Sequence, residues 1–287
     1  MSDAAGLSAA TATIPTISVR ELCRDYRRPR ASLFGTPSVV HALREVSFDV
    51  AAGERFGVVG ESGSGKSTLL RLLAGLEQPT SGDVQIDGTS LVGRSERHLR
   101  FLRTRLQLVF QDPMSSLDPR MRVRDIVLEP LVGLRLPIPP SRVTELLASV
   151  GLPADAADRF PHQFSGGQRQ RISLARALAP NPGILVADEP VSALDVSLRA
   201  QVLNVIMDLV EELALTLVFV SHDLAVVKHV CETVAVMHAG RIIETGPTSQ
   251  VYSSPREPYT QRLVAAVPTL RRALEGATAA DLARGTG

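Results

Sequence analysis

An α/β fold with a largely parallel sheet is what this sequence predicts, and three observations carry the prediction. Residues 56–59 form an apolar, β-rich run that leads into a glycine-rich turn and then a leucine-rich helical pattern. A second apolar run, Ile184-Leu185-Val186-Ala187, ends abruptly in two acids, Asp188 and Glu189. Short buried runs alternate with helical stripes along most of the chain, as they do where crossover helices join parallel strands. At 287 residues the chain is slightly past the size at which one core stops growing, so one main domain with a smaller subdomain is expected.

Taken in order, residues 1–14 are rich in Ala, Ser and Thr and are expected to be a disordered tail, with 15–267 as the folded domain. Residues 14–20 read as a first strand. Tyr26 follows, then a Pro/Arg/Gly stretch to Pro37 that reads as a loop or a long hairpin tip. Residues 39–50 alternate loosely, as a returning strand does. After the glycine-rich turn, Leu69, Leu70, Leu72, Leu73 and Leu76 offer one wide apolar helix face. Residues 78–83 are a turn cluster, 84–86 a short strand, and Asp87-Gly88 a hairpin turn. Residues 94–103 read as a helix and 106–110 as a buried strand ending at Gln111.

The character then changes. Residues 112–119 are turn-rich, and 123–150 read as two helices separated by Pro137, Pro139 and Pro140. Residues from about 112 to 164 are therefore expected to be a helical subdomain inserted into the α/β core. A helix follows over 166–178. A stripe of Leu198, Val202, Val205, Ile206, Leu209 and Leu213 marks another, and 217–220 a buried strand. Residues 234–237 and 241–244 flank the turn Ala239-Gly240. Residues 268–287, rich in Ala, Arg and Gly, are expected to be loosely held.

Composition narrows the function. The net charge of +1 argues against a polyanion-binding surface, and the arginine clusters near residues 27–30 and 94–105 read as solvated faces. Cys23 and Cys231 are too few for a metal framework and fit a reducing compartment. The first basic residue is Arg20, so the N-terminus does not read as a secretory signal. No apolar run reaches about 18 residues, so any membrane role is expected to be peripheral.

Gly60, Gly65, Lys66 and Ser67 match the phosphate-loop pattern G-x-x-x-x-G-K-[ST], which here spans Gly60, Glu61, Ser62, Gly63, Ser64, Gly65, Lys66, Ser67 and the adjoining Thr68. Glycines let successive N–H groups turn inward toward phosphate oxygens, and the helix start adds free N–H groups and its positive dipole end. Lys66 offers a point charge to the outer phosphates and Ser67 a hydroxyl to magnesium. The chain has only two lysines, Lys66 and Lys228, and one of them falls where this loop needs it.

Asp188 and Glu189 fall at the carboxyl edge of the sheet, where open α/β folds bind ligands. There Asp188 can hold magnesium and Glu189 can take a proton from an attacking water. Ser165-Gly166-Gly167-Gln168 opens a helix that Ser165 caps. The pattern suits a capped helix after a turn, and it also suits a second anion site at a helix N-terminus. Gln111 and His222 each follow a strand and can reach a phosphate across the sheet edge, although a histidine there also suits an ordinary turn.

Together these segments closely resemble the ATP-binding subunits of ABC transporters, over about residues 17–267. Residues 60–67 look like the Walker A loop, 186–189 like Walker B, and 165–168 like the family signature, with Phe164 where leucine is commoner. Gln111 matches the Q-loop, Ser192-Ala193-Leu194-Asp195 the D-loop, and His222 the switch histidine. Tyr26 falls where the family stacks an aromatic on adenine. Within the family the chain most resembles the oligopeptide, dipeptide and nickel importer branch. The stretch 111–120, Pro161-His162-Gln163-Phe164 and the long segment between Tyr26 and His41 carry that resemblance. So does the C-terminal stretch ending Pro258-Tyr259-Thr260, with Glu257 where that branch usually has histidine.

The resemblance implies a P-loop NTPase core with an antiparallel β subdomain and the inserted helices. It also implies ATP and Mg²⁺ as ligands, with Mg²⁺ met by Ser67, Gln111 and Asp188. The catalytic residues would be Glu189, His222 and Lys66. Each ATP would lie between Walker A of one chain and the signature of another, either a copy or a paralogue. Two transmembrane permease subunits and an extracytoplasmic solute-binding protein are the further partners implied, at the cytoplasmic face of the membrane, with no nucleic acid. Nickel or another small solute is the alternative cargo. A soluble relative acting on DNA would need a long coiled coil between Walker A and the signature, and Lys66 and Ser165 lie too close for one. Translation-type relatives carry two cassettes, and a P-loop kinase has no use for the signature.

Overall fold

The computed structural model describes residues 14–27, 39–112 and 116–266. The expectations for the two tails and for the loop after Arg27 lie outside the described residues, apart from Ile14, which is exposed.

Two sheets share the chain. The first is antiparallel, in the order β2-β1-β4-β5, and comprises β1 (Ile17–Arg27), β2 (Val39–Val50), β4 (Ser81–Ile86) and β5 (Thr89–Ser90). The second comprises β3 (Arg55–Val59), β6 (Leu106–Val109), β7 (Ile184–Asp188), β8 (Thr216–Ser221), β9 (Thr233–His238) and β10 (Arg241–Pro247). Its order is β10-β9-β3-β8-β7-β6, with β10 antiparallel at one edge and the rest parallel. The first strand starts later than expected and continues through Tyr26, because β1 pairs with β2 as far as Arg27↔Val39.

The parallel strands are apolar on both faces because both faces are covered. Leu185, Ala187, Leu217 and Phe219 look into a core built with α3 (Val123–Leu134), α4 (Arg142–Ser149), α5 (Gly166–Leu178), α6 (Val196–Glu212) and α7 (Leu224–Val230). Ile184, Val186, Val218 and Val220 look into the other, filled by the antiparallel sheet, α1 (Lys66–Leu73) and Leu102 of α2 (Arg100–Arg105). Phe48 and Phe56 stack across the two sheets with ring centroids 5.0 Å apart. Two short helices, α8 (Thr248–Ser253) and α9 (Pro258–Ala266), follow β10.

The prolines at 137, 139 and 140 fall between α3 and α4, while Pro130 sits inside α3. Phe110, expected in a buried strand, lies past the end of β6 and is exposed, and two expected helix-face residues are exposed as well. Helix α1 ends at Leu73 in a Schellman turn: Gly75 takes φ +60° and the Leu76 N–H donates to the Arg71 carbonyl, which turns Leu76 outward to 54% exposure. Helix α6 closes the same way at Ala214, with Leu215 N–H donating to the Val210 carbonyl, so Leu213 is exposed and Leu203 and Val210 complete the buried stripe. The expected helix 94–103 is a 3₁₀ turn, Glu96–Leu99, running into α2.

Leu147 of α4 is fully buried in the core that also contains the sheet residues Leu185 and Phe219. Leu147→Ala is expected to cost about 2–5 kcal/mol. Because that core is continuous, urea unfolding followed by circular dichroism should still show one transition, with no early loss of α3 and α4.

Candidate functional site

The edge of the sheet where β3, β7 and β8 end opens into a cavity of about 450 Å³. Its floor is the turn between β3 and α1, contributing Ser62, Gly63, Gly65, Lys66, Ser67 and Thr68. Gln111 enters from beyond β6, Asp188 from the end of β7, and Glu189 from the next position. Sequence reasoning missed the remaining walls: Val40, His41, Ala42 and Arg44 of β2, and the Ala239-Gly240 turn. No motif marks the β2 residues. Gly240 was legible as a turn residue, but its neighbour across the cavity was not.

Glycine is required in this loop for two separate reasons. Gly63 and Gly65 take φ of +81° and +109°, which favours a residue without Cβ. At Gly60 the constraint is contact: a Cβ there would lie 2.2 Å from the Met237 carbonyl oxygen of β9. The loop is also tied to its surroundings by backbone bonds. Gly240 N–H donates to Ser64 O (3.0 Å), and Arg44 N–H donates to Gly240 O (2.8 Å). Gly60, Glu61 and Ser64 do not line the cavity; the Ser64 side chain is buried, and the Glu61 N–H donates to the Tyr259 hydroxyl at 3.1 Å.

Lys66 is buried, and its ammonium group donates to the carbonyls of Gly60 (2.6 Å) and Glu61 (2.9 Å). Burial lowers its pKa, and the nearby Glu189 and Asp188 carboxylates oppose that shift. Asp188 is pushed the other way. Burial raises its pKa, the Glu189 charge adds to the rise, and Lys66 and Arg71 oppose it. A half-buried carboxylate lining one cavity with a hydroxyl and an amide is a donor set short of a cation. Among the described residues no three His, Cys, Asp or Glu side chains cluster as metal ligands. Ser67, Gln111 and Asp188 therefore suit Mg²⁺, which keeps waters and phosphate oxygens in its shell rather than taking an all-protein cage.

Glu189 takes the left-handed conformation, with φ +45°. Its N–H donates to Val220 O (2.9 Å), and its Oε2 lies 3.0 Å from His222 Nδ1. That contact brings together two residues expected to act on one phosphate, although His222 itself stays outside the cavity wall.

Six more expected site residues lie elsewhere. Ser165 and Gln168 form a capping box at the start of α5: Ser165 Oγ accepts from Gln168 N–H (3.3 Å) and Gln168 Oε1 accepts from Ser165 N–H (3.0 Å). With Gly167, Arg171 and residues of α6 they line a separate hollow of about 350 Å³ that shares no residue with the first. Gly166 and Gly167 let the helix start pack on Leu194 and Leu198, at 3.2 and 3.3 Å from an added Cβ. Asp195 caps α6 by accepting from Leu198 N–H (2.9 Å). Tyr26 does not line the cavity; its hydroxyl donates to Glu77 at 2.5 Å and the Arg24 guanidinium sits 4.7 Å over its ring.

Residues 43–192, which hold the phosphate loop, Gln111, the capped α5 start and both acids, match the family described as ABC transporter. The chain belongs to the ABC transporter family. It is 48% identical over 250 residues to a dipeptide transport ATP-binding protein, DppF, of Haemophilus influenzae, covering 86% of this chain and 76% of that one. It is 51% identical over 233 residues to a probable peptide ABC transporter ATP-binding protein, y4tS, of Sinorhizobium fredii, covering 80% of this chain and 66% of that one. Among solved structures it is similar to the ATP-binding cassette MJ0796 in a dimeric, post-hydrolysis state bound to ADP and Pi. That similarity has a TM-score of 0.71 at 30% identity and covers 81% of this chain and 98% of that one.

This ABC chain is thus an ATPase whose hydrolysis is coupled to transport, and its fold is that of the P-loop cassettes. No helix among its described residues is long and apolar enough to cross a membrane.

Gly60→Ala is expected to drive a methyl group into the Met237 carbonyl. The loop must then shift, at a cost of about 1–3 kcal/mol in urea denaturation and with loss of fluorescent-nucleotide binding. Gly246→Ala is the control for a glycine change as such, because its φ, like that of Gly60, is not left-handed and an added Cβ meets only Val251 Cγ2 at an ordinary 3.6 Å.

Proposed function

We propose that this ABC ATPase powers a peptide importer, working as one of a pair of cassettes. The observation that carries the paired reading is the separation of the two hollows. The phosphate loop with Lys66, Asp188 and Glu189 lines one, and Ser165, Gly167 and Gln168 line the other. A single chain has no use for both around one nucleotide, whereas two chains facing each other can close each loop with the other's signature. The named roles of the relatives in peptide and dipeptide transport support the cargo.

In this reading the residues from Gly60 to Thr68 wrap the phosphates: Glu61 shapes the loop, and Ser62, Gly63, Ser64 and Gly65 present backbone. Lys66 keeps its shorter bond to the Gly60 carbonyl and exchanges the Glu61 carbonyl for phosphate oxygens. Tyr26 pairs with Val40, a cavity residue, so the base would lie along the β1–β2 edge. Mg²⁺, held by Ser67, Asp188 and Gln111, would neutralise phosphate charge. Glu189 takes the proton of the attacking water as its oxygen bonds to the γ-phosphorus and the bond to ADP breaks, and His222 keeps the Glu189 carboxylate aimed. Ser165, Gly166, Gly167 and Gln168 meet the partner's nucleotide, with Asp195 at the shared boundary.

The partners are a second cassette, copy or paralogue, two transmembrane permeases and an extracytoplasmic binding protein. The chain sits peripherally at the cytoplasmic face of the membrane, and nucleic acid is not a partner. Detergent extraction should recover it with two membrane proteins; recovery with ribosomes or DNA would replace this reading.

Glu189→Gln is expected to slow turnover about 10²–10⁴-fold while ATP binding persists, since the loop is untouched. With ATP and Mg²⁺ present, and the partner cassette if it is a paralogue, light scattering during gel filtration should show a stable dimer that wild type forms only transiently.

Asp188 gives a pH test. Its folded pKa is raised, so the folded state holds that proton more tightly than the unfolded chain. Between the ordinary carboxylate value and the raised one, ligand-free stability falls as pH rises, and Mg²⁺ affinity falls as pH drops. Asp188→Asn should flatten the stability trend and abolish the pH-dependent Mg²⁺ requirement. Identical pH profiles for the two proteins would remove Asp188 from the metal site.

A further inference from the structure

We propose that the C-terminal segment is a clasp on the phosphate loop and that Tyr259, held in place by Glu244, is a positioning residue for Lys66. The proposal rests on the phosphate-loop reading and adds to it a residue 198 positions away from the one it touches.

The contact is between the Glu61 N–H and the Tyr259 hydroxyl, 3.1 Å apart. That N–H belongs to the same planar peptide unit as the Gly60 carbonyl. In a trans peptide the N–H and C=O point in opposite directions. The Gly60 carbonyl is the shorter of the two carbonyl contacts of the Lys66 ammonium, at 2.6 Å. One peptide plane therefore has tyrosine on one side and the lysine on the other. Rotating that plane would break both bonds, so the hydroxyl fixes the direction of the carbonyl that anchors Lys66.

Tyr259 is built into this position. It is 7% exposed, and its ring lies against His238 of β9, with centroids 4.1 Å apart. The start of α9 is itself tied to the sheet. Glu244 of β10 accepts from the Arg256 N–H with one carboxylate oxygen (2.9 Å) and from the Glu257 N–H with the other (3.2 Å). Gln261 Nε2 then donates to the Pro255 carbonyl (3.1 Å), closing the turn that aims Tyr259. A carboxylate gripping two consecutive amides makes a firm, charge-assisted anchor. The chain of contacts runs from Glu244 through 256–257 and Tyr259 to the Glu61 peptide and Lys66.

The test uses the full chain, with fluorescent ATP as the probe and hydrogen exchange as a second readout. Tyr259→Phe keeps the ring on His238 and removes only the hydroxyl. Loss of one hydrogen bond that holds the loop in its binding form should weaken ATP affinity about fivefold. The Glu61 amide should exchange faster, with protection elsewhere in α1 and α9 unchanged; a general loosening would show a merely structural role and overturn the proposal. Glu244→Ala should give the same loss at Glu61 and in ATP affinity, with faster exchange also at the Arg256 and Glu257 amides it releases, and the double variant should bind ATP no worse than the poorer single one, because both act on the nucleotide through one contact. Additive losses, or wild-type affinity and exchange in a folded Tyr259→Phe protein, would also overturn it. Should Tyr259→Phe not fold, Glu244→Ala alone decides by the same two readouts. A wild-type chain that binds no ATP would refute the phosphate-loop reading itself, whereas wild-type binding with unaffected variants refutes only the clasp.

Discussion

The site depends on one buried ammonium group. Lys66 lies beneath a glycine turn, close enough to Asp188 and Glu189 for their charges to counter part of its desolvation, and it is satisfied by the carbonyls of its own loop. Backbone oxygens are weaker partners for a cation than phosphate oxygens, because a carbonyl carries only a partial charge and a phosphate oxygen a formal one. A triphosphate can thus draw the ammonium group off the Glu61 carbonyl while the shorter bond to Gly60 keeps it in place. Everything around Lys66 serves that exchange: the glycines that let β9 and β2 approach, the acids at the end of β7, and the turn at Gly240 that ties the loop to both.

Much of this was legible in the sequence because it rests on local chemistry. A strand, a turn needing left-handed φ at Gly63 and Gly65, and a helix starting at Lys66 occupy consecutive residues, so pattern and structure coincide. The same holds for the acids ending β7 and for the Asp87-Gly88 and Ala239-Gly240 hairpin turns. Helix ends were less legible. Apolar periodicity continues through Leu76 and Leu213, but Schellman closures at Gly75 and Ala214 stop each helix before those residues turn inward. Illegible altogether were the cavity walls from β2, because they arise from one sheet packing on another, and spacing within a single segment carries no record of it.

The capped start of α5 shows how one pattern serves two needs. Its box satisfies helix amides within the chain, and its glycines make room for Leu194 and Leu198. Neither observation needs a nucleotide. What calls for an additional role is the position of the hollow beside it, away from the phosphate loop, in a family whose cassettes include a dimer solved with ADP and Pi.

The stitching of the phosphate loop has a consequence for synthesis. The loop itself is complete by residue 67, yet Gly240 and Tyr259, which hydrogen-bond it, come far later in the chain. Contacts so distant in sequence can form only after the intervening chain has emerged and folded. A nascent chain that has left the ribosome as far as α5 already carries every residue of the G-x-x-x-x-G-K-[ST] pattern, but it lacks β9, whose carbonyl defines the space at Gly60. The loop therefore acquires its shape last, although it is among the first motifs translated. Nucleotide would then reward only a chain that has been made almost to its end.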